Sequence, residues 1–221
     1  TTTALALKLL DMGFVTGDFF CTSLPLLTEH VYLEYACFKI GVVFVPLDLR
    51  LKGPEVIRSL GLVKAKGYAF LGKTPVADFT ELGKAVMAHC PFVEHFVQFS
   101  APDETIDGAI SAFVLAEEAR GLAMAALSNP AESQLLKTYM LATGKITEND
   151  GCLVIFTTGS TGYPKPALLS HRNITCQNMC LGAAFGIDDE ARMLVNLPPS
   201  HVGCQTEQLM TTFFFGGTAV I

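Results

Sequence analysis

The chain lacks tryptophan, long apolar runs and any excess of positive charge over its 221 residues. Charges or turn residues interrupt each apolar run before it reaches the roughly 18 residues that span a bilayer, so no transmembrane segment is expected. A formal net charge of −6 at pH 7 argues against a nucleic-acid partner, since such binding needs basic patches. Half of the residues are apolar, which predicts a globular protein with a sizeable core.

The sequence also lacks a secretory signal and a disulfide pattern. Residues 1–10 show neither the basic start nor the cleavage site of a signal peptide. The seven cysteines form no C-x-x-C pair and no spacing typical of disulfides. Reduced thiols are therefore the simpler interpretation, and a cytoplasmic location is expected.

The most informative segment that is present is Thr157–Lys165, which reads TTGSTGYPK. It follows the apolar run Cys152–Phe156, a pattern typical of a strand buried on both faces of a parallel sheet. Glycines allow a sharp turn and a close approach of backbone N–H groups to an anion, and a lysine adds a compact positive charge. The predicted phosphate contacts are Thr157, Thr158, Gly159, Ser160, Thr161, Gly162 and Lys165.

A nucleotide-triphosphatase P-loop and an ordinary surface turn are the two alternatives to this kind of phosphate-binding loop. The P-loop of nucleotide triphosphatases needs four residues between its glycines and then a helix that opens at the lysine. This loop has two residues between Gly159 and Gly162, and prolines flank Lys165, so a helix cannot begin there. An ordinary Gly/Ser/Thr-rich surface turn is the second alternative, and it is disfavoured because nine such residues follow a buried strand in order.

Apolar runs alternate with helical patterns along the chain, which predicts an α/β fold with a doubly wound, mostly parallel sheet and flanking helices. The expected strands are Phe19–Leu24, Val42–Pro46, Gly67–Leu71, Phe92–Phe99 and Cys152–Phe156. The expected helices are Ala4–Leu10, Glu29–Ile40, Pro54–Leu62, Asp78–His89, Ser111–Ala126 and Asn129–Ala142, with a further helix after the loop. Ser170 or Asn173 would cap that last helix.

A polar, turn-rich stretch at 143–151 is the best candidate for a boundary between two units. The sequence therefore predicts a first α/β subdomain over residues 1–143. Residues 144–221 would begin a second α/β subdomain that carries the loop. Gly216–Ile221 resembles a strand that enters a core.

Four segments of the sequence resemble the adenylate-forming superfamily of acyl-CoA synthetases, luciferases and peptide-synthetase adenylation domains, and they occur in the same order along the chain as in that superfamily. Residues 157–171 (TTGSTGYPKPALLSH) resemble its phosphate-binding signature, and 34–50 (EYACFKIGVVFVPLDLR) resemble its helix, turn and strand near the N-terminus. Residues 196–203 (NLPPSHVG) resemble its substrate-pocket segment, and 213–221 (FFFGGTAVI) the strand that comes next. The resemblance covers most of the chain and is weakest over about residues 70–145.

The resemblance implies carboxylate activation in two steps, with ATP and coenzyme A as co-substrates and Mg²⁺ bridging the phosphates. Lys165 and the loop would stabilise the leaving pyrophosphate, and Thr161 is the candidate metal ligand. His201 would line the acyl pocket near the carboxylate. Amino-acid-activating relatives place an aspartate in this pocket segment, whereas Pro198–Gly203 contains no carboxylate. A fatty or aryl acid is therefore the expected substrate.

Pro166 departs from the family pattern, which has glycine after the Pro-Lys pair; it removes one N–H and stiffens the exit of the loop. The family's ribose-binding aspartate and its mobile C-terminal lysine have no counterpart in the sequence. We therefore expect the chain to be the N-terminal part of a longer enzyme, inactive alone. The alternative is a non-catalytic nucleotide-binding or scaffold protein derived from this family. Apolar surface at the C-terminal edge is expected to favour self-association, with a homodimer as its simplest form.

Overall fold

The computed structural model describes residues 1–157 and 163–221. Its helices are α1 (Thr2–Asp11), α2 (Thr28–Lys39), α3 (Gly53–Val63), α4 (Thr80–His89), α5 (Ala112–Ser128), α6 (Gln134–Lys145), α7 (His171–Phe185) and α8 (Thr211–Phe214). A π-helical segment, Gly203–Met210, runs directly into α8. The strands are β1 (Phe19–Ser23), β2 (Val43–Pro46), β3 (Gly67–Leu71), β4 (His95–Phe99), β5 (Ile110–Ser111), β6 (Gly151–Phe156), β7 (Pro166–Ser170), β8 (Arg192–Leu194) and β9 (Thr218–Val220).

The main sheet has seven strands in the order β5-β4-β3-β1-β2-β6-β7. Neighbouring strands are parallel from β5 to β6, and only the last pair, β6 and β7, is antiparallel. The carboxyl ends of β1, β2, β3 and β6 therefore lie at one edge of the sheet. In open α/β sheets this is the edge where ligands bind.

Helices cover both faces of the sheet, and each face has its own apolar core. On one face Leu9 of α1, Leu33 of α2 and Leu115 of α5 pack in a cluster with Phe20 and Leu153 of the sheet. On the other face Leu60 of α3 and Val86 of α4 pack in a second cluster with strand residues. The predicted α/β fold with a doubly wound, mostly parallel sheet is confirmed.

Most predicted elements lie close to the observed ones, and β1 to β3 agree within one residue at each end. Strand β4 begins at His95 rather than Phe92, because the Val93 N–H donates to the Cys90 carbonyl oxygen at 3.0 Å and closes a turn. Helix α6 begins at Gln134 rather than Asn129. Its N-terminus is fixed by the Ser133 hydroxyl, which accepts from the Leu136 N–H at 3.2 Å.

One strand near the loop was not predicted. β7 lies between the loop and the predicted helix, and that helix, α7, begins at His171, directly after Ser170. The strand predicted at the C-terminal end forms as β9, but it pairs with β8 in a separate two-stranded sheet. Its middle residue, Ala219, is half-buried and packs against a third apolar cluster of Val31, Val195, Cys204 and Leu209, whereas Thr218 and Val220 are exposed.

The division of the chain at 143/144 stays a prediction. Strands β6 and β7, which follow that point, pair into the same sheet as the strands that precede it. Among the described residues, no helix is both long and apolar enough to cross a membrane.

Candidate phosphate-binding site

The segment Thr157–Lys165 connects β6 to β7, which pair as an antiparallel hairpin. Its ends are joined, because the Thr157 N–H donates to the Lys165 carbonyl oxygen at 2.9 Å. Both residues are exposed, whereas Cys152, Leu153, Val154 and Ile155 of β6 are buried. The hairpin therefore presents the two ends of the loop at the carboxyl edge of the sheet, on a strand that the core holds in place.

Sequence reasoning assigned seven residues of the loop to phosphate binding, and the structure places two of them, Thr157 and Lys165, next to each other. Thr158, Gly159, Ser160, Thr161 and Gly162 lie outside the described residues, and so does the metal ligand assigned to Thr161. Their roles stay predictions.

Pro166 occupies a position in β7 where a missing N–H costs no hydrogen bond to the neighbouring strand. Thr157 and Lys165 form a hydrogen-bonded pair, and Phe156 and Pro166 are the next pair in register. In an antiparallel ladder such pairs alternate with non-bonded ones, so the nitrogen of Pro166 points away from β6. β7 is also the edge strand of the sheet, which is where proline is tolerated.

Arg58 of α3 contacts the exit of the loop, and sequence analysis did not identify it. Its guanidinium carbon lies 4.5 Å from the centroid of the Tyr163 ring. The guanidinium also donates to the Pro164 carbonyl oxygen at 3.5 Å. Arg58 and Pro164 are 106 residues apart in sequence, so no local pattern could have indicated this contact.

A capping box fixes the start of α7 directly after the hairpin. The Ser170 hydroxyl accepts from the Asn173 N–H at 3.2 Å, and the Asn173 carboxamide oxygen accepts from the Ser170 N–H at 3.0 Å. The prediction that Ser170 or Asn173 caps this helix is confirmed. His171 is the first helical residue, and its ring packs edge-on against Phe38 with centroids 5.8 Å apart. Partial burial lowers the pKa of His171.

His201 lies in the segment between β8 and the π-helical segment, and it is exposed. Its Nδ1 accepts a hydrogen bond from the Gly203 N–H at 3.0 Å, which places the ring proton of a neutral imidazole on Nε2. No hydrogen bond joins His201 to Thr157 or Lys165 in residues 1–157 and 163–221. The role assigned to His201 in the acyl pocket therefore stays a prediction.

The part of the chain that the structure describes contains no cluster of three or more His, Cys, Asp or Glu side chains that could hold a metal ion. The described residues therefore provide no complete set of protein side chains to coordinate a cation. The oxygen donors at the described ends of the loop are the Thr157 hydroxyl and backbone carbonyls. Hydroxyl and carbonyl oxygens suit Mg²⁺, which keeps several waters and takes most of its other ligands from phosphates.

Comparison with known proteins agrees with the architecture. The chain is 31% identical over 194 residues to feruloyl-CoA synthase of Amycolatopsis sp. This match covers 86% of the chain and 31% of the synthase. The chain is 25% identical over 195 residues to the long-chain-fatty-acid–CoA ligase FadD13 of Mycobacterium tuberculosis, covering 88% of this chain and 33% of that protein. The chain thus spans about a third of the length of these relatives.

Among solved structures, the anthranilate CoA ligase AuaEII in complex with anthranoyl-AMP matches with a TM-score of 0.82 and 17% sequence identity. The match covers all of this chain and 38% of the ligase. At this level of identity the match shows a shared fold. The family model described as AMP-binding enzyme matches residues 1–221. The chain accordingly belongs to the AMP-binding enzyme family.

Proposed function

We propose that this chain is the phosphate-binding part of an AMP-forming acid–thiol ligase that uses ATP, a carboxylic acid and coenzyme A. The observation that supports this most directly is the position of the Thr157–Lys165 loop. It sits at the carboxyl edge of a parallel sheet, with a lysine paired to its first residue, in a chain of the AMP-binding family. The anthranilate CoA ligase that shares the fold was solved with an acyl-adenylate bound.

In the first step a carboxylate oxygen of the acid forms a bond to the α-phosphorus of ATP. The bond from that phosphorus to the bridging oxygen breaks, and pyrophosphate leaves with the bonding electrons. Backbone N–H groups and hydroxyls of the loop, together with the ammonium of Lys165, stabilise the charge that develops on the leaving group. In the second step a thiolate attacks the acyl carbon and AMP departs.

A magnesium ion would supply further charge neutralisation between the phosphates. The loop sequence offers hydroxyl and carbonyl oxygens but no carboxylate, so the triphosphate itself would provide much of the coordination. Thr161 is the side chain that we propose as its ligand.

For the acid we propose a fatty or aryl substrate rather than an amino acid. Pro198–Gly203 has no carboxylate that could balance an α-ammonium group. The two relatives named above are a feruloyl-CoA synthase and a long-chain-fatty-acid–CoA ligase, one from each substrate class. His201 would hydrogen-bond through Nε2 near the carboxylate of the acid.

Carboxylate-dependent exchange of labelled pyrophosphate into ATP tests the proposal, measured on the complete protein that contains these residues. Exchange that requires an acid is the expected result. Residues 1–221 alone are expected to show none. The alternative of a non-catalytic nucleotide-binding protein requires ATP binding without exchange in the complete protein, and that result would replace the present proposal.

A further inference from the structure

His201 closes a β-turn that begins at Pro198. The His201 N–H donates to the Pro198 carbonyl oxygen at 2.9 Å, and Pro199 occupies the second position of the turn, where proline is favoured. The peptide group that follows Pro199 is the central one, and its orientation distinguishes one type of β-turn from another. A contact with the Pro199 carbonyl oxygen therefore controls how the turn presents its last residue.

Gln205 of the π-helical segment bonds to this turn at two points. Its carboxamide nitrogen donates to the Pro199 carbonyl oxygen at 3.0 Å. Its backbone N–H donates to the His201 carbonyl oxygen at 3.3 Å. Gln205 is fully buried, so the bond to Pro199 lies away from water, where the low local dielectric strengthens it. The two bonds hold the central peptide of the turn and its last residue.

The carboxamide oxygen of Gln205 is buried and accepts no hydrogen bond from residues 1–157 and 163–221. An unpaired buried acceptor is unfavourable, and an apolar side chain of similar size would fill the same space without one. Packing alone therefore does not account for a glutamine at this position. The bond from its nitrogen to Pro199 is the polar contact that the side chain makes in the described part of the chain, which indicates that it holds the turn.

Gly203 orients the ring of His201 once the turn is in place. The Gly203 N–H donates to Nδ1 of His201 at 3.0 Å. A Cβ on Gly203 would stand 3.0 Å from that nitrogen and 2.9 Å from Cδ1 of Leu197, so a side chain there would push the imidazole or the leucine aside. The turn and Gly203 together fix the ring, and they leave Nε2 as the donor of a neutral imidazole.

Asn178 anchors the segment that carries Gln205 to α7. Asn178 is buried, and its carboxamide lies 3.0 Å from the Thr211 hydroxyl, which donates to the Thr206 carbonyl oxygen at 2.7 Å. A hydroxyl has one proton, so Asn178 presents its nitrogen to Thr211, and that nitrogen also lies 3.0 Å from the Thr206 carbonyl oxygen. The support of the His201 turn is thus built onto the helix that directly follows the phosphate-binding hairpin.

We propose that Gln205 is a positioning residue for the acid: it holds the Pro198–His201 turn and thereby fixes His201, whose Nε2–H donates to the carboxylate. This inference rests on the proposed function and adds to it a buried residue outside both the loop and the Pro198–Gly203 segment. Gln205 does not touch the acid and acts through His201. Its loss therefore impairs the use of the acid and spares the use of ATP.

Pyrophosphate exchange by the complete protein, with cinnamate and octanoate as the acids, tests this inference. Gln205→Met keeps an unbranched side chain of similar length and removes the donor to Pro199. We expect kcat/KM for the acid to fall by about 10- to 100-fold, because a small displacement of a positioned group has effects of this order. The KM for ATP should stay unchanged. Gln134→Met, at an exposed position on α6, is the matched control and should alter neither value.

A double mutant separates positioning from a general loosening of the fold. His201→Ala should itself lower kcat/KM for the acid, and adding Gln205→Met to it should cause no further loss. Gly203→Ala, which displaces the ring and leaves the bond from Gln205 to Pro199, should reproduce the loss. Far-UV circular dichroism checks that each variant is folded. Losses that multiply in the double mutant would overturn the inference, and so would wild-type use of the acid by Gln205→Met or by His201→Ala.

Failure of the ligase proposal would be seen separately, as the absence of exchange with either acid. Nitrogen NMR of the His201 ring in the complete protein then decides the role of Gln205, with the resonances identified by their loss in His201→Ala. A single tautomer with its proton on Nε2 is expected in the wild type, and a mixture of tautomers in Gln205→Met. Ring resonances that Gln205→Met does not change would refute the positioning role.

Discussion

The strands at the centre of the main sheet differ from the hairpin at its edge in how far their residues are buried. Every residue of β2 is buried, as are four of the five in β1, whereas β7 contains none. Packing on both faces fixes the central strands, so their side chains serve the fold. The edge hairpin has one strand packed in the core and one that is half-buried or exposed, so the core fixes the position of Thr157 while Thr157 and Lys165 both stay exposed.

The largest effect should come from truncating one buried leucine of the hairpin, compared with truncating one exposed leucine of its other strand. Leu153 of β6 is fully buried, and Leu168 of β7 is 56% exposed. Leu153→Ala should lower the free energy of unfolding by about 2–5 kcal/mol, because it leaves a cavity in the core. Leu168→Ala should lower it by less than about 1 kcal/mol. Equilibrium denaturation in urea measures both values, and equal losses would contradict the division between centre and edge.

Lys165→Ala should reverse this pattern, with a large effect on activity and a small one on stability. Under the proposed role of Lys165 in stabilising the leaving pyrophosphate, removing its cation should reduce the exchange rate by about 100-fold or more, whereas an exposed side chain contributes little to folding. Lys137→Ala on α6 is the control for an exposed lysine elsewhere. An exchange rate unchanged by Lys165→Ala would remove this residue from the mechanism.

Low pH should lower the folding stability of the protein through His30, which lies in its core. This residue is fully buried on α2, its Nε2 lies 3.1 Å from the Thr22 hydroxyl, and burial lowers its pKa from 6.5 to about 3. Because the unfolded state binds a proton more readily, stability should fall as the pH drops from about 6.5 toward 3. The slope contributed is up to about 1.4 kcal/mol per pH unit.

Comparing His30→Gln with the wild type between pH 7 and pH 4 isolates this contribution. The variant should lose stability less steeply with falling pH, whereas His89→Gln, at an exposed position on α4, should leave the slope unchanged. Glu34 is also buried, and burial raises its pKa well above 4.5, so its contribution to stability increases as the pH falls toward 4.5 and opposes that of His30. The difference between variant and wild type removes that contribution. Parallel curves would refute a buried, neutral His30.

The smallest effect should come from Arg58, which braces the exit of the loop from α3. An exposed cation–π contact contributes about 0.5–1 kcal/mol, so Arg58→Ala should raise the KM for ATP about two- to fivefold with little change in kcat. A double-mutant cycle with Tyr163→Ala should show coupling between the two side chains. Strictly additive effects would mean that the contact does not position the loop.

The central sheet could be predicted from sequence because its signals are local. Continuous apolar runs such as Val43–Pro46 predict buried strands, and Ser170 next to Asn173 predicts a helix start. β7 was missed because Pro166–Ser170 is short and lies directly before a helix signal. The contact of Arg58 with the loop depends on tertiary packing, and a hydrophobic period does not encode a π-helical segment. The start of α6 was misplaced although its signal is local, because Ser133 is an ordinary N-cap residue that the alanine- and leucine-rich pattern obscured.

Pro166 also matters for the outer side of the sheet. Its ring nitrogen points away from β6, where a strand from another molecule would otherwise find its first backbone donor. Pro166 therefore interrupts the row of backbone donors along which a second polypeptide could extend the sheet, directly beside Lys165. A neighbouring strand would therefore lack a hydrogen-bond donor at the end of β7 that adjoins the loop.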